Sequence, residues 1–153
     1  MKAVGYTETG PIDRADALID FEAEKPKPSG RDLLVKVDAI SVNPEDTKVR
    51  QRRAPTDGQP DILGWDAAGE GVEVGTAVAD FAIGDRVYYA GVVTRPGTNS
   101  EFHLVDERIV GKAPRSIAIS AAAAMPLTTL TAYEMLFDRL RIDDAVPGGQ
   151  RTL

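Results

Sequence analysis

Residues 62–75 read ILGWDAAGEGVEVG, and the role of these glycines decides the fold. A dinucleotide-binding fingerprint needs G-x-G-x-x-G directly between a strand and a helix, so that helix N-terminal amides meet the pyrophosphate. Here Gly69 and Gly71 are followed by Val74 where the third glycine belongs, and Gly75 arrives one residue late. Glu70 and Glu73 would repel phosphate, and the run alternates through Val72 and Val74 as a strand does. No Gly-Lys-Ser or Gly-Lys-Thr occurs anywhere, so a P-loop is absent as well.

Outward from this stretch the chain reads as short strands between turns, punctuated by 14 glycines and 10 prolines. MKAVGY opens as a strand. LLVKVDAISV (33–42) alternates apolar and charged residues before turning fully apolar, which buries one face. VYYAGVV and EFHLV add two more strands around the loop TRPGTN. Asn43-Pro44-Glu45-Asp46 carries a cap residue, proline at the first helical position and an acid at the third, a capping-box variant that opens a short helix over TKVRQRR. A second helix begins at Ser120 in SAAAAMPLTTLTAYEMLFDRL, and Pro126 restarts it. The reading is a mainly β body with short helices, a partly open barrel.

Composition removes several functions. The 24 acidic residues against 18 basic ones give a net charge of -6, which argues against nucleic-acid or anionic-membrane partners. A small-molecule partner fits better. The absence of cysteine excludes disulfides, thiolate zinc sites and a cysteine nucleophile, and no apolar N-terminal segment suggests secretion, so a cytoplasmic location is expected. One histidine without thiols cannot build a tetrahedral zinc site, and the aspartates do not follow a calcium-loop pattern. On its strand His103 shares a face with Glu101 and Val105, opposite Phe102 and Leu104, and reads as a solvated or rim histidine. Tyr88 and Tyr89 alternate faces, so only one of them can point into a cleft.

VDAISVNPEDTKVR, ILGWDAAGEG, FAIGDRVYYAG, EFHLVDERIVGKAP and AAAAMPLTTLTAYEMLFDRL, in this order, resemble the N-terminal half of a medium-chain dehydrogenase/reductase. Within that superfamily the resemblance is to the zinc-independent quinone-oxidoreductase branch and its zinc-type alcohol dehydrogenase-like members. It covers nearly the whole chain and implies a GroES-like partly open β-barrel over residues 1–119. A helical connector, 120–153, would then lead toward a Rossmann cofactor-binding domain that is absent from this sequence. The glycines at 69, 71 and 75 then read as turns and close backbone approaches within a barrel strand.

In zinc alcohol dehydrogenases a cysteine falls at the position of Asn43, and Gly-His-Glu falls at Gly64-Trp65-Asp66. With asparagine and indole at the two ligand positions, no zinc is expected. The resemblance implies NADPH as cofactor, with hydride transfer to a quinone or enone acceptor. It also implies that Asn43, Asp46 and Thr131 fix the nicotinamide end. Capping explains Asn43 and Asp46 equally well, and a hydroxyl bonded back to the preceding turn explains Thr131. Trp65, as core or cleft wall, and Tyr89 are assigned to the substrate cleft. No catalytic side chain stands out, and a homo-oligomer is expected. The alternatives are a non-catalytic GroES-like structural or interaction module, and a zinc alcohol dehydrogenase-like domain. On its own the chain is expected to be inactive, because the Rossmann phosphate and ribose readers are not among its residues.

Overall fold

A computed structural model describes residues 1–56 and 58–144. Among the described residues, eight strands form two antiparallel sheets. In the smaller sheet β1 (Lys2–Tyr6) lies between β2 (Ile19–Glu22) and β4 (Asp61–Ile62). The larger sheet runs β7 (Phe102–Asp106), β3 (Asp32–Ser41), β5 (Asp66–Val74), β6 (Arg86–Ala90) and β8 (Val110–Lys112). An isolated bridge between Ala3 and Ser100 joins the two. The sheets stay open and do not close into a barrel. The mainly β reading with short helices therefore holds, including the strands at MKAVGY, LLVKVDAISV, AAGEGVEVG, VYYAGVV and EFHLV. β2, β4 and β8 span four, two and three residues, too short for an alternation to register in the sequence.

β3, β5 and β6 are the inner strands of the larger sheet, and β3 and β5 are buried on two faces for part of their length. On one face Leu33, Val35, Ala67, Val87, Tyr89 and Val105 form the main core, each large member contributing about 1.5–3 kcal/mol by removal from water. On the other, Ala68, Ala113, Ala122 and Ala123 pack together, joined by Ile117 and Ile119. This second cluster seats α2 (Ile119–Ala123) on the sheet, so packing crosses the 119/120 boundary drawn from the sequence. α2 starts one residue before the expected Ser120. The helix then restarts at Pro126 as α3 (Pro126–Tyr133) and continues as a π-helical segment, Glu134–Arg139. The end of the connector, 145–153, lies outside the described residues.

Buried polar groups fasten this frame. The Glu107 carboxylate accepts from Arg31 (2.6 Å) and from the backbone amides of Ala79 (2.8 Å) and Asp80 (3.0 Å). Those amides hold its carboxyl below the usual glutamate range. Arg95 forks onto both oxygens of Asp32 at 2.9 Å. His103 corrects the sequence reading: it is 5% exposed, not solvated. Its ring stacks on Tyr89, with centroids 5.5 Å apart. Nε2 lies 3.0 Å from the Pro96 carbonyl, which can only accept, so Nε2 carries the hydrogen and Nδ1 accepts from the Tyr89 hydroxyl at 3.0 Å. With both nitrogens satisfied, the imidazole is buried neutral, and burial pushes its pKa down to about 4.

Two predictions follow from the packing. At Gly69 a Cβ would press into the Lys36 carbonyl of the neighbouring strand, whereas at Gly71 the nearest atom, Ala82 O, leaves ordinary contact at 3.5 Å. Gly69→Ala should therefore cost on the order of 2 kcal/mol in urea unfolding, and Gly71→Ala less than ~0.5 kcal/mol. Equal costs would refute the close approach. For His103, the folded pKa of about 4 lies below the unfolded value of about 6.5, so the unfolded chain takes up the proton first. Stability should fall as pH drops from 6.5 to 4, by about 3 kcal/mol, and His103→Gln should lack this component when both are unfolded at pH 7 and pH 4.5.

Candidate functional site

The end of β3, the start of β5 and the first turns of two helices meet at one point. Beyond Ser41 the chain leaves the sheet, and Asn43, in extended conformation, caps α1 (Pro44–Arg52). The expected capping box forms there. The Asn43 amide N–H donates to Asp46 Oδ2 at 2.6 Å, and the Asp46 N–H donates to the Asn43 carbonyl at 3.0 Å. The Asn43 side chain does something further, since its Nδ2 donates to Asp66 Oδ2 at 3.1 Å. Asp66 opens β5 opposite Ser41 on one side and Ala90 on the other.

The same Asp66 oxygen receives the backbone N–H of Leu127 at 3.2 Å. α3 begins at Pro126, which has no N–H, and Met125 before it makes no side-chain cap. Leu127 is therefore the first orphan donor of α3, and a carboxylate from the sheet caps it. Asn43 thus bridges two buried acids, Asp46 (6% exposed) and Asp66 (1% exposed). Burial raises both carboxyl pKa values above the ordinary aspartate range. The Asp46 charge raises that of Asp66 further, against the bonds from Asn43 and Leu127. Each acid keeps one oxygen, Oδ1, buried without a partner among the described residues, as does the Trp65 indole N–H.

Thr131 lies on the exposed side of α3, one turn after Leu127, and its hydroxyl donates back to the Leu127 carbonyl at 2.9 Å. The two cleft assignments need correction. Tyr89 is 2% exposed, packed in the main core and bonded to His103, so it cannot line a cleft. Tyr88, on the opposite face, lines a groove of about 400 Å³ with Ala90, Ile109, Pro126, Thr129 and Leu130. Trp65 is 6% exposed and packs among Tyr6, Val49 and Leu63, with the Arg53 guanidinium 5.8 Å from its ring centre. It is a core residue. Sequence reasoning passed over Asp66, although an acid set directly into the apolar run ILGWDAAG is the signal of a buried carboxylate in search of donors.

The donor chemistry suits a carboxamide better than a metal. The half-buried Asn43 keeps one amide N–H and its side-chain oxygen, and the exposed Thr131 hydroxyl keeps its lone pairs, and these can pair with an amide's C=O and N–H. At the two positions matched to zinc ligands, Asn43 gives its nitrogen to Asp66 and the Trp65 indole offers only a donor. Among the described residues, no group of three or more histidines or acids is placed to hold a metal ion.

Two open antiparallel sheets fastened to short helices in this order define a GroES-like domain. Residues 29–115 match the alcohol dehydrogenase GroES-like domain, more than half of the chain, and the chain belongs to that family. It is 46% identical over 138 residues to a zinc-type alcohol dehydrogenase-like protein of Staphylococcus epidermidis, covering 90% of this chain and 40% of that protein. A solved structure from Rhizobium etli, provisionally named a zinc-dependent alcohol dehydrogenase, superposes with a TM-score of 0.92 at 52% identity, over 97% of this chain and 43% of that one. Escherichia coli quinone oxidoreductase complexed with NADPH superposes with a TM-score of 0.78 at 28% identity, over 92% of this chain and 41% of that one. The chain spans about two fifths of the length of the curated relatives it matches.

The raised Asp46 pKa has a testable sign. A folded value above the unfolded one of about 3.9 means that the buried charge opposes folding at neutral pH, and that this cost fades as pH falls toward 4. Asp46→Asn keeps an acceptor for the Asn43 amide and removes the charge. It should equal or exceed the parent in denaturant stability at pH 7, with any advantage vanishing near pH 4. A loss above about 1 kcal/mol at pH 7 would show instead that the ionised cap dominates.

Proposed function

We propose that the chain is the N-terminal catalytic-domain portion of an NADPH-dependent, zinc-independent oxidoreductase acting on quinones or enones. The observation that carries the reading is the donor set at Asn43 and Trp65, which offers neither thiolate nor imidazole where zinc dehydrogenases carry both. The likeness to a quinone oxidoreductase complexed with NADPH supports it. When bound, the reduced nicotinamide supplies a hydride, and an electron-poor acceptor takes it up together with a proton from solvent. The work left to this domain is positioning. Asn43 and Asp46, at the start of α1, and Thr131, on α3, orient the carboxamide end, and Asn43 and Asp46 cap α1 at the same time. The Thr131 hydroxyl spends its hydrogen on Leu127 and keeps lone pairs free to accept.

The names of the Staphylococcus epidermidis and Rhizobium etli relatives favour a second reading, zinc-dependent alcohol oxidation. The same donor set opposes it. We place the enzyme in the cytoplasm as a homo-oligomer acting on small molecules, with neither nucleic acid nor membrane as partner. The net charge of -6 supports the exclusion of nucleic acid and anionic membrane.

The test uses the intact protein that contains this chain, before and after dialysis against a chelator. NADPH-dependent reduction of a benzoquinone or an α,β-unsaturated ketone should persist, with zinc far below one per chain by elemental analysis. Alcohol oxidation that disappears on chelation and returns with added zinc would overturn the proposal.

A further inference from the structure

We infer that Asp66 is a positioning residue for the cofactor: one carboxylate oxygen, held rigidly in the sheet, fixes both the Asn43 amide and the first turn of α3. The inference rests on the reading that Asn43 and Thr131 face nicotinamide, and it adds a residue to which no direct contact is assigned. Asp66 stands on an inner strand, laddered on both sides through Ser41 and Ala90, so its backbone has little freedom. From this anchor Oδ2 reaches Asn43 Nδ2 at 3.1 Å and the Leu127 N–H at 3.2 Å.

Each bond removes one freedom. A carboxylate only accepts, so the Asn43 amide must turn its nitrogen to Asp66 and its oxygen away, which selects one of two nearly isosteric orientations. At the other helix, Asp66 is the cap that Pro126 and Met125 do not supply, and the capped turn ends at Thr131 through its bond to the Leu127 carbonyl. A single oxygen therefore sets the relative placement of two groups on separate helices. The partner oxygen, Oδ1, is buried and unpaired among the described residues. A proton placed there leaves Oδ2 able to accept both bonds, so Asp66→Asn can reproduce the arrangement, with its amide oxygen in place of Oδ2. Asp66→Ala cannot.

The experiment measures binding as well as turnover in the intact protein, by fluorescence titration with NADPH and with 2′-phospho-ADP-ribose, which lacks the nicotinamide. Asp66→Ala should weaken NADPH binding about tenfold or more, the loss expected when the released Asn43 or Thr131 side chain misplaces one hydrogen bond to the carboxamide, and change the truncated ligand less than ~2-fold. Asp66→Asn should recover most of the loss. Asn43→Ala combined with Asp66→Ala should be clearly less than multiplicative. If Asp66→Ala fails to fold, Asp66→Thr, closer in volume and able to hold one of the two bonds, should show the same selective loss to a smaller extent. Equal weakening of both ligands, or none, in the folded variant would overturn the positioning role while leaving the proposed function intact. A parent protein that binds NADPH no better than the truncated ligand would overturn both.

Discussion

A carboxylate taken out of water must find donors, and Asp66 finds them on two separate helices. One oxygen receives a side-chain amide from the start of α1 and a backbone amide from the start of α3. Without it the first turn of α3 would begin with an unsatisfied N–H behind a proline that has none, and Asn43 would serve α1 alone. The site is thus a junction at which sheet, α1 and α3 are held to a common reference. The cost is visible in the same place, because two acids share one asparagine and burial disfavours charge on both.

The opposite end of β3 is fastened by ordinary means. Asp32 receives the Arg95 fork, and Glu107 gathers three donors from two segments, Arg31 and the consecutive amides of Ala79 and Asp80. These pairs are complete, whereas the Asp46, Trp65 and Asp66 side chains each leave a buried polar atom without a partner. Thr98 Oγ1 and Asn99 Oδ1, in the segment packed against Gly64, share that condition, so the complete networks lie at the start of β3 and the unpaired atoms gather toward its other end.

What the sequence disclosed follows the range of each interaction. The capping box at Asn43 and Asp46 closes within three residues, and the β alternations are equally local, so both were legible. The bonds from Asn43 and Leu127 to Asp66 span 23 and 61 residues, and no local pattern announces them. His103 and Tyr89 failed together for a related reason. Alternation shows that neighbouring residues face opposite ways but not which way the core lies, and a tyrosine with a histidine can satisfy each other and both go inside. Trp65 was open between wall and core, and two of its neighbours, Tyr6 and Val49, come from other segments, β1 and α1.

The seat of α2 constrains how this chain can change. Ala68, Ala113, Ala122 and Ala123 meet there, methyl against methyl, with Tyr88, Ile117 and Ile119 packed around them. Such a contact draws its strength from shape and dispersion at short range, having little apolar volume to bury. Drift at these positions is one-sided. Alanine can shrink only to glycine, which loosens the helix, and any larger residue must lift α2 off the strands that carry Asp66 and Tyr88. Within the four-alanine contact no member can compensate by shrinking, and the larger side chains, Tyr88, Ile117 and Ile119, pack around it. Four of the smallest side chains in the sequence therefore form one of its least substitutable surfaces, and their spacing sets how far the helices stand from the sheet.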